Sequence, residues 1–309
     1  MVGNRGDNRP AWPGRRPGWL AALARGSVFP ALLIGPLVAA AALHALGWPR
    51  LVILVACLTA SLIVQLGLER ILPYRAHWQE GHPVAADLVC MGLGAITNTA
   101  VEMTILVGVL AAGTALSAAL GATLWPTTWP FAAQLILAVA IADLAHYWIH
   151  RQLHQVPFLW GFHQMHHRPD HLYTLNFFRM HPLDIALKAV ANCTPLILLG
   201  TPADVMLLWM VASGVSAGSL NHANIDARTG WLDGIFSTPA LHRWHHSRNP
   251  AEHHTNFGNI TVIYDRIFGT YCCPVTRQVA EVGAPAGSRR LLVELAGPFT
   301  AGVPARWQA

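Results

Sequence analysis

The stretch FAAQLILAVAIADLAHYWIH, residues 131–150, decides the fold. Gln134 and Asp143 are the only polar breaks before it ends on His146-Tyr-Trp-Ile-His150. Crossing the hydrocarbon layer takes about 20 apolar residues. Residues 131–149 therefore read as a membrane span that delivers histidines to its own end. A helix brings residues i and i+4 onto one face, so His146 and His150 can address one metal centre.

Further spans lie on both sides. Residues 28–48 and 51–68 supply two, split by Pro49 and Arg50. Residues 88–120 suffice for one tilted helix, or for a helix and a re-entrant piece. Residues 185–199 and 205–220 form a hairpin around Gly200-Thr201-Pro202. Of the 309 residues 53% are apolar and only 11% charged, against roughly 25% charged in soluble domains. Disorder, collagen-like sequence and a soluble globular body are excluded by these values. The expected fold is all-α, an integral membrane helical bundle with a cytoplasmic histidine-rich cap. Its expected divisions are a flexible basic N-terminal tail (1–27), a transmembrane hairpin and loop (28–84), a catalytic domain (85–275) and a C-terminal tail (276–309).

Arginines set the expected orientation. Arg5, Arg9, Arg15, Arg16 and Arg25 precede the first span, and Arg70 and Arg75 follow the second. No Lys or Arg occurs between Arg75 and Arg151, which leaves residues 121–130 free to face outward. Arg151, Arg168 and Arg179 then return the chain to the inside, and Arg50 alone breaks the pattern. The first apolar stretch exceeds a signal-peptide core and lacks a nearby small-residue cleavage pattern, so it is expected to be retained. The net charge of +5 comes without a basic stripe or RNA-binding aromatics, which argues against a nucleic-acid partner. Five cysteines without CxxC spacing read as reduced packing residues.

Fourteen of the 17 histidines fall between residues 146 and 254. After His146 and His150 come His163-Gln-Met-His166-His167, the isolated His222 in Asn221-His222-Ala223-Asn224, and His242-Arg-Trp-His245-His246. These nine imidazoles exceed what one metal ion can take, so two adjacent metals are expected. Imidazole suits Zn, Cu, Fe and Ni alike, and spacing does not choose among them.

In this order the boxes resemble the fatty acid hydroxylase/sterol desaturase superfamily of membrane di-iron oxygenases. Arg179-Met180-His181-Pro182, Asn256-Phe257-Gly258, Tyr264-Asp265-Arg266 and Phe268-Gly269-Thr270 add to the likeness, which covers about residues 85–275. The resemblance implies two iron ions held at the cytoplasmic membrane face by His146, His150, His163, His166, His167, His222, His242, His245 and His246, with zinc able to replace iron in purified protein. It also implies dioxygen as co-substrate and hydroxylation or desaturation of a lipid-soluble substrate such as a fatty acyl lipid, sterol or carotenoid. Relatives often carry a further histidine four residues after the isolated one, where this chain has Asp226. That carboxylate is expected either to ligate iron, to hold water or to cap a turn.

Other residues invite two readings each. Asp143 can orient His146 or serve as an interfacial charge. His181 is expected near the metals or facing substrate. Glu102 can face Asn98 or line a substrate path. His154, His171, His253 and His254 read as solvated cap residues, and tryptophans such as Trp125, Trp129 and Trp148 as interface anchors. Gly92-Leu-Gly94 lacks the last glycine of a dinucleotide loop. Electrons are therefore expected from a separate donor, whether ferredoxin, cytochrome or flavoprotein reductase. The competing class is a membrane metal transporter or metal-binding protein, which would place ligands deep within spans. A zinc hydrolase lacks its HExxH, since residue 147 is Tyr, and a bis-histidine haem leaves most boxes unexplained.

Overall fold

A computed structural model describes residues 19–81, 83–273, 278–284 and 291–300. Arg5, Arg9, Arg15 and Arg16 and parts of the expected C-terminal tail lie outside the described residues. Helices α1 (Trp19–Ala45) and α2 (Arg50–Ile71) form the first hairpin, broken where Pro49 supplies extended backbone before α2. Helix α3 (Val84–Val101) runs through a π-helical turn, Glu102–Leu106, into α4 (Val107–Leu120). The region expected as one helix or two pieces is thus a single run of 37 residues. At 1.5 Å per residue it is about 55 Å long, well beyond the roughly 30 Å hydrocarbon core. Glu102 and Asn98 are both exposed on it.

Helix α5 (Phe131–Gln155) carries the opening stretch and continues six residues past the expected end of its span at 149, through His150 and His154. Helix α6 (Pro157–His167) turns off it at Val156. The hairpin forms as expected from α7 (Pro182–Leu198) and α8 (Ala203–Val211), which continues through a π segment, Ala212–Ser219, into α9 (Leu220–His222). Gly200 makes the turn in the left-handed region at φ +78°, where a side chain would be strained. Among the described residues, five helices are long and apolar enough to cross a membrane: Ala22–Ala45, Arg50–Ile71, Val84–Leu120, Phe131–Gln155 and Ala203–His222.

Packing centres on α5, α7 and α8, where Ala138, Ala142, Leu196, Val205 and Trp209 are buried together. Helix α4 closes on α7 through Gly113, where a Cβ would lie 2.9 Å from the Ile197 carbonyl. Trp125, expected as an interface anchor, is buried in this core and donates Nε1–H to Gln134 Oε1 at 2.8 Å. Trp129 and Trp148 are exposed.

The turns sort to two ends of the bundle. Arg50 pairs with Asp204 at 2.6 Å, and Thr123 Oγ1 donates to the Leu199 carbonyl at 3.2 Å. The α1–α2, α4–α5 and α7–α8 turns therefore meet at one end, and Arg50 has an acidic partner there. The polar layer is built at the other end. Its short helices α6, α7, α10 (Pro239–His245) and α11 (Pro250–His253) each start with proline at the first helical position. Proline needs no donor there and its φ already suits a helix, so the histidine boxes on α6 and α10 have fixed starts. Helix α12 (Ile263–Ile267) follows, and α13 (Leu291–Thr300) turns part of the expected tail into a packed element. Arg179 holds α13 through Glu294 at 2.8 Å and also reaches Asp87 of α3 at 3.4 Å.

Candidate metal centre

Five histidines on three elements form one group: His150 and His154 of α5, His163 and His167 of α6, and His245 of α10. Four form a second: His166 of α6, His222 of α9, and His242 and His246 at the end of α10. Within each group the ligand nitrogens lie within 4.8 Å of one another, and all nine residues are buried. The groups adjoin, with the His167 and His246 rings stacked at 4.2 Å between centroids.

Hydrogen bonds fix which nitrogen faces inward. His150 Nδ1–H donates to the Phe257 carbonyl at 2.8 Å, His163 Nδ1–H to Asp184 Oδ2 at 2.8 Å, and His245 Nδ1–H to the Thr255 carbonyl at 2.8 Å. In the second group His222 Nδ1–H donates to Asn176 Oδ1 at 3.0 Å. Each proton on Nδ1 leaves Nε2 as a lone pair, the arrangement outer partners impose on metal-binding imidazoles. The inward nitrogens crowd: His150 Nε2 lies 3.1 Å and His167 Nε2 3.2 Å from His163 Nε2. His242 Nε2 lies 2.9 Å from His222 Nε2 and 3.0 Å from His246 Nε2. Two nitrogens bound at right angles to one metal at 2.0–2.1 Å sit about 3 Å apart. His245 Nε2 and both ring nitrogens of His154 are buried without a hydrogen-bond partner. Such atoms are costly unless something binds them, so the donor set fits metal ions.

Burial, and then repulsion among neighbouring rings, holds His166, His167, His242, His245 and His246 well below the ordinary imidazole range. They are neutral near pH 7, the form that ligates metal.

Several expectations change. His146 lies outside both groups. It is one turn deeper in α5, half-buried, and its Nδ1 accepts from Asn192 Nδ2 at 3.2 Å. His154 stands in the first group instead; expected in solvent, it is 1% exposed there. Helix α5 offers histidines at 146, 150 and 154 with equal spacing, and only the depth at which α6 and α10 meet it selects the last two. His253, also expected in solvent, is buried.

The carboxylate expectations change as well. Asp143 accepts from Ile260 N at 3.4 Å, Thr261 N at 2.7 Å and Thr261 Oγ1 at 2.8 Å. It neither orients His146 nor sits as an interfacial charge; it pins the chain after Gly258 to α5. Asp226 pairs with Arg25 at 2.9 Å and belongs to neither histidine group. His181 caps α7, its Nδ1 accepting from Leu183 N at 3.1 Å while Nε2–H donates to the Leu295 carbonyl at 3.2 Å. It stands at the start of the helix that presents Asp184, and is not itself in either group.

Sequence reading missed Asp184, Asn176 and the work of the C-terminal signature. Asp265 accepts from Phe257 N and Gly258 N, both at 2.8 Å, and from Thr270 Oγ1 at 2.7 Å. It thereby holds the carbonyl that orients His150. Glu69 at the end of α2 accepts from Thr174 N, Thr174 Oγ1 and Asn224 N at 2.7–2.9 Å. It ties together the two segments that carry Asn176 and His222. Beside Glu69, a cavity of about 250 Å³ opens between α2 and α3, lined by Leu66, Arg70, Gln79, Val84, Tyr173 and Leu175 among others.

The fatty acid hydroxylase family model matches residues 135–270, the segment that holds all nine grouped histidines. An ornithine lipid hydroxylase of Rhizobium tropici is 35% identical over 241 residues, covering 75% of this chain and 71% of that protein. An alkylglycerol monooxygenase of Danio rerio is 29% identical over 152 residues, 49% of this chain but only 33% of that protein. A putative Delta(7)-sterol-C5(6)-desaturase of Arabidopsis thaliana is 24% identical over 151 residues, 47% of this chain and 50% of that protein. No solved structure matches the chain. By the likeness to the bacterial hydroxylase over most of both chains, and by the family match over the histidine layer, this chain belongs to the fatty acid hydroxylase family of lipid-modifying enzymes.

Proposed function

We propose that the chain is a membrane-bound di-iron oxygenase that hydroxylates a lipid with dioxygen and two externally supplied electrons. The observation that carries this reading is the pair of adjoining groups, His150, His154, His163, His167 and His245 beside His166, His222, His242 and His246. Bound there, two irons would supply the oxidation of an unactivated C–H bond by dioxygen, chemistry that no side chain performs alone. Zinc fits the same nitrogens and would be an inactive stand-in.

The chain's own part is to hold and orient. Phe257, Asp184, Thr255 and Asn176 keep protons on the outer nitrogens of His150, His163, His245 and His222. Burial keeps the rings neutral and water out. The layer sits where the spans end, so an amphiphile can approach from the bilayer without leaving it. The cavity beside Glu69 has apolar walls in Leu66, Val84 and Leu175 with Arg70 and Gln79 at its polar side, a combination suited to an acyl chain below a polar headgroup. The arginine distribution supports a cytoplasmic position for the layer. Electrons would arrive from a separate ferredoxin, cytochrome or flavoprotein. The histidine groups gather at one end and line no path across the bundle, which favours an enzyme over a transporter.

Membrane lipids from cells with and without the gene, grown under isotopically labelled dioxygen, test this by mass spectrometry. A lipid that gains one labelled oxygen atom only when the gene is present is the expected result. Loss of two hydrogens without oxygen would replace hydroxylation by desaturation. An unchanged lipid profile with altered cellular metal content would overturn the enzyme reading in favour of transport.

A further inference from the structure

Beside the two groups lies a third set of imidazoles, His154, His253 and His254, whose ligand nitrogens also fall within 4.8 Å of one another. His154 is common to this set and the five-histidine group. Both of its ring nitrogens are buried without a hydrogen-bond partner. His253 ends α11 and His254 follows it directly, with ring centroids 4.1 Å apart. Each lies 5.7 Å from His154. Trp160 stacks on His253 at 5.6 Å with an interplanar angle of 6°, which fixes the plane of that ring. His254 is the half-buried member, while the five-histidine group beyond His154 is buried throughout. The Nδ1 of His254 also lacks a partner.

We propose that His253 and His254, with His154, form a transfer site through which divalent metal passes between solvent and the five-histidine group. The inference rests on reading that group as a resident metal site. A hydrated ion cannot enter a fully buried nest of neutral rings without shedding water, and the loss is least costly when each departing water is replaced by a nitrogen. His254 and His253 can make the first replacements at the edge. His154, with two unpartnered nitrogens, can serve the outer and inner sets in turn. The same imidazole chemistry accepts Fe(II) and Zn(II), so the site is selective for the class of ion and not for the element. No electrons move in this step; water is exchanged for nitrogen and then nitrogen for nitrogen.

Isotope exchange on the intact metal-loaded protein in detergent tests the proposal. Protein carrying natural-abundance iron is incubated with Fe(II) of a different isotope under reducing, anaerobic conditions, and bound isotopes are followed by mass spectrometry. His254→Ala and His253→Phe are expected to slow exchange about tenfold while leaving total bound metal equal to wild type. His253→Phe preserves stacking on Trp160 and removes only the nitrogens. His254→Asp, which restores a ligand, is expected to recover exchange, an outcome that a purely structural role would not give. Unaltered exchange in both variants, with folding confirmed by circular dichroism, would overturn the proposal. So would loss of bound metal at equilibrium in both, because the two histidines would then be resident ligands. A wild-type chain that binds no metal would overturn the metal centre as well, whereas bound metal without lipid oxidation would overturn the proposed function and leave the transfer site standing.

Discussion

His150 and His163 turn bare Nε2 lone pairs toward each other at 3.1 Å, because each has committed its proton to an acceptor behind it. The Phe257 carbonyl can only accept, and Asp184 holds the other Nδ1 as a donor. No proton is left for the space between the rings, so a cation is the species that reconciles them. Chelating the metal from detergent-solubilised protein should therefore destabilise it by several kcal/mol. Differential scanning fluorimetry would register this as a lowered melting temperature, restored by adding Fe(II) or Zn(II). A melting curve indifferent to metal would contradict the assignment.

Asp184 also carries the chain's single lysine as a partner, Lys188 Nζ at 3.1 Å. Asp184→Ala removes the acceptor that fixes the His163 tautomer and should weaken metal binding by about 10–100-fold. Asp184→Asn retains an oxygen that can accept from Nδ1 and should lose less. Competition against a chelator of known affinity measures both.

Alanine at His154 and at His146 separates two readings of one helix. His154→Ala should lose metal, as His163→Ala does, while His146→Ala should keep the metal content of wild type. Asp226→Ala should keep it too, since that carboxylate faces Arg25. Elemental analysis of the four purified variants decides the matter, and metal loss at His146 with retention at His154 would reverse the assignment.

Gly258 marks where the C-terminal signature admits no side chain. A Cβ there would run into the Thr261 carbonyl and lie 3.0 Å from Asp265 Oδ2, so relief requires moving backbone. Gly258→Ala should cost about 3 kcal/mol and shift the Phe257 carbonyl off His150. Thermal melts of metal-loaded protein report the first effect and metal affinity the second.

The grouping of turns at two ends yields a topology that can be tested. Reporter fusions at Gly121 and at the C-terminus should lie on opposite sides of the membrane, with Gly121 outside. Reporters that agree would require the long run Val84–Leu120 not to cross.

Membrane class, span positions and eight of the nine grouped histidines were legible because they are local: apolar runs of sufficient length, and spacings of three and four. The choice of His154 over His146 was not, since both satisfy the same helical period on α5. Only the depth at which α6 and α10 meet α5 separates them. Asp184 and Asn176 escaped for the same reason. Their roles depend on α7 and the Thr174–Phe178 turn arriving beside boxes remote in sequence. The signature residues around Phe257 and Asp265 were recognisable as a pattern, but their work in aiming a carbonyl at His150 became visible only in three dimensions.

The proline-started helices of the polar layer bear on how the chain survives synthesis. Each short helix is locally set, yet what they converge upon is a cluster of lone pairs that repel until a cation arrives. Spans can insert without metal, leaving the layer poorly closed and its segments open to membrane proteases. Iron supply would then govern abundance as well as activity. In iron-starved cells the chain is then expected to turn over faster, as proteolysis acts on the unclosed layer.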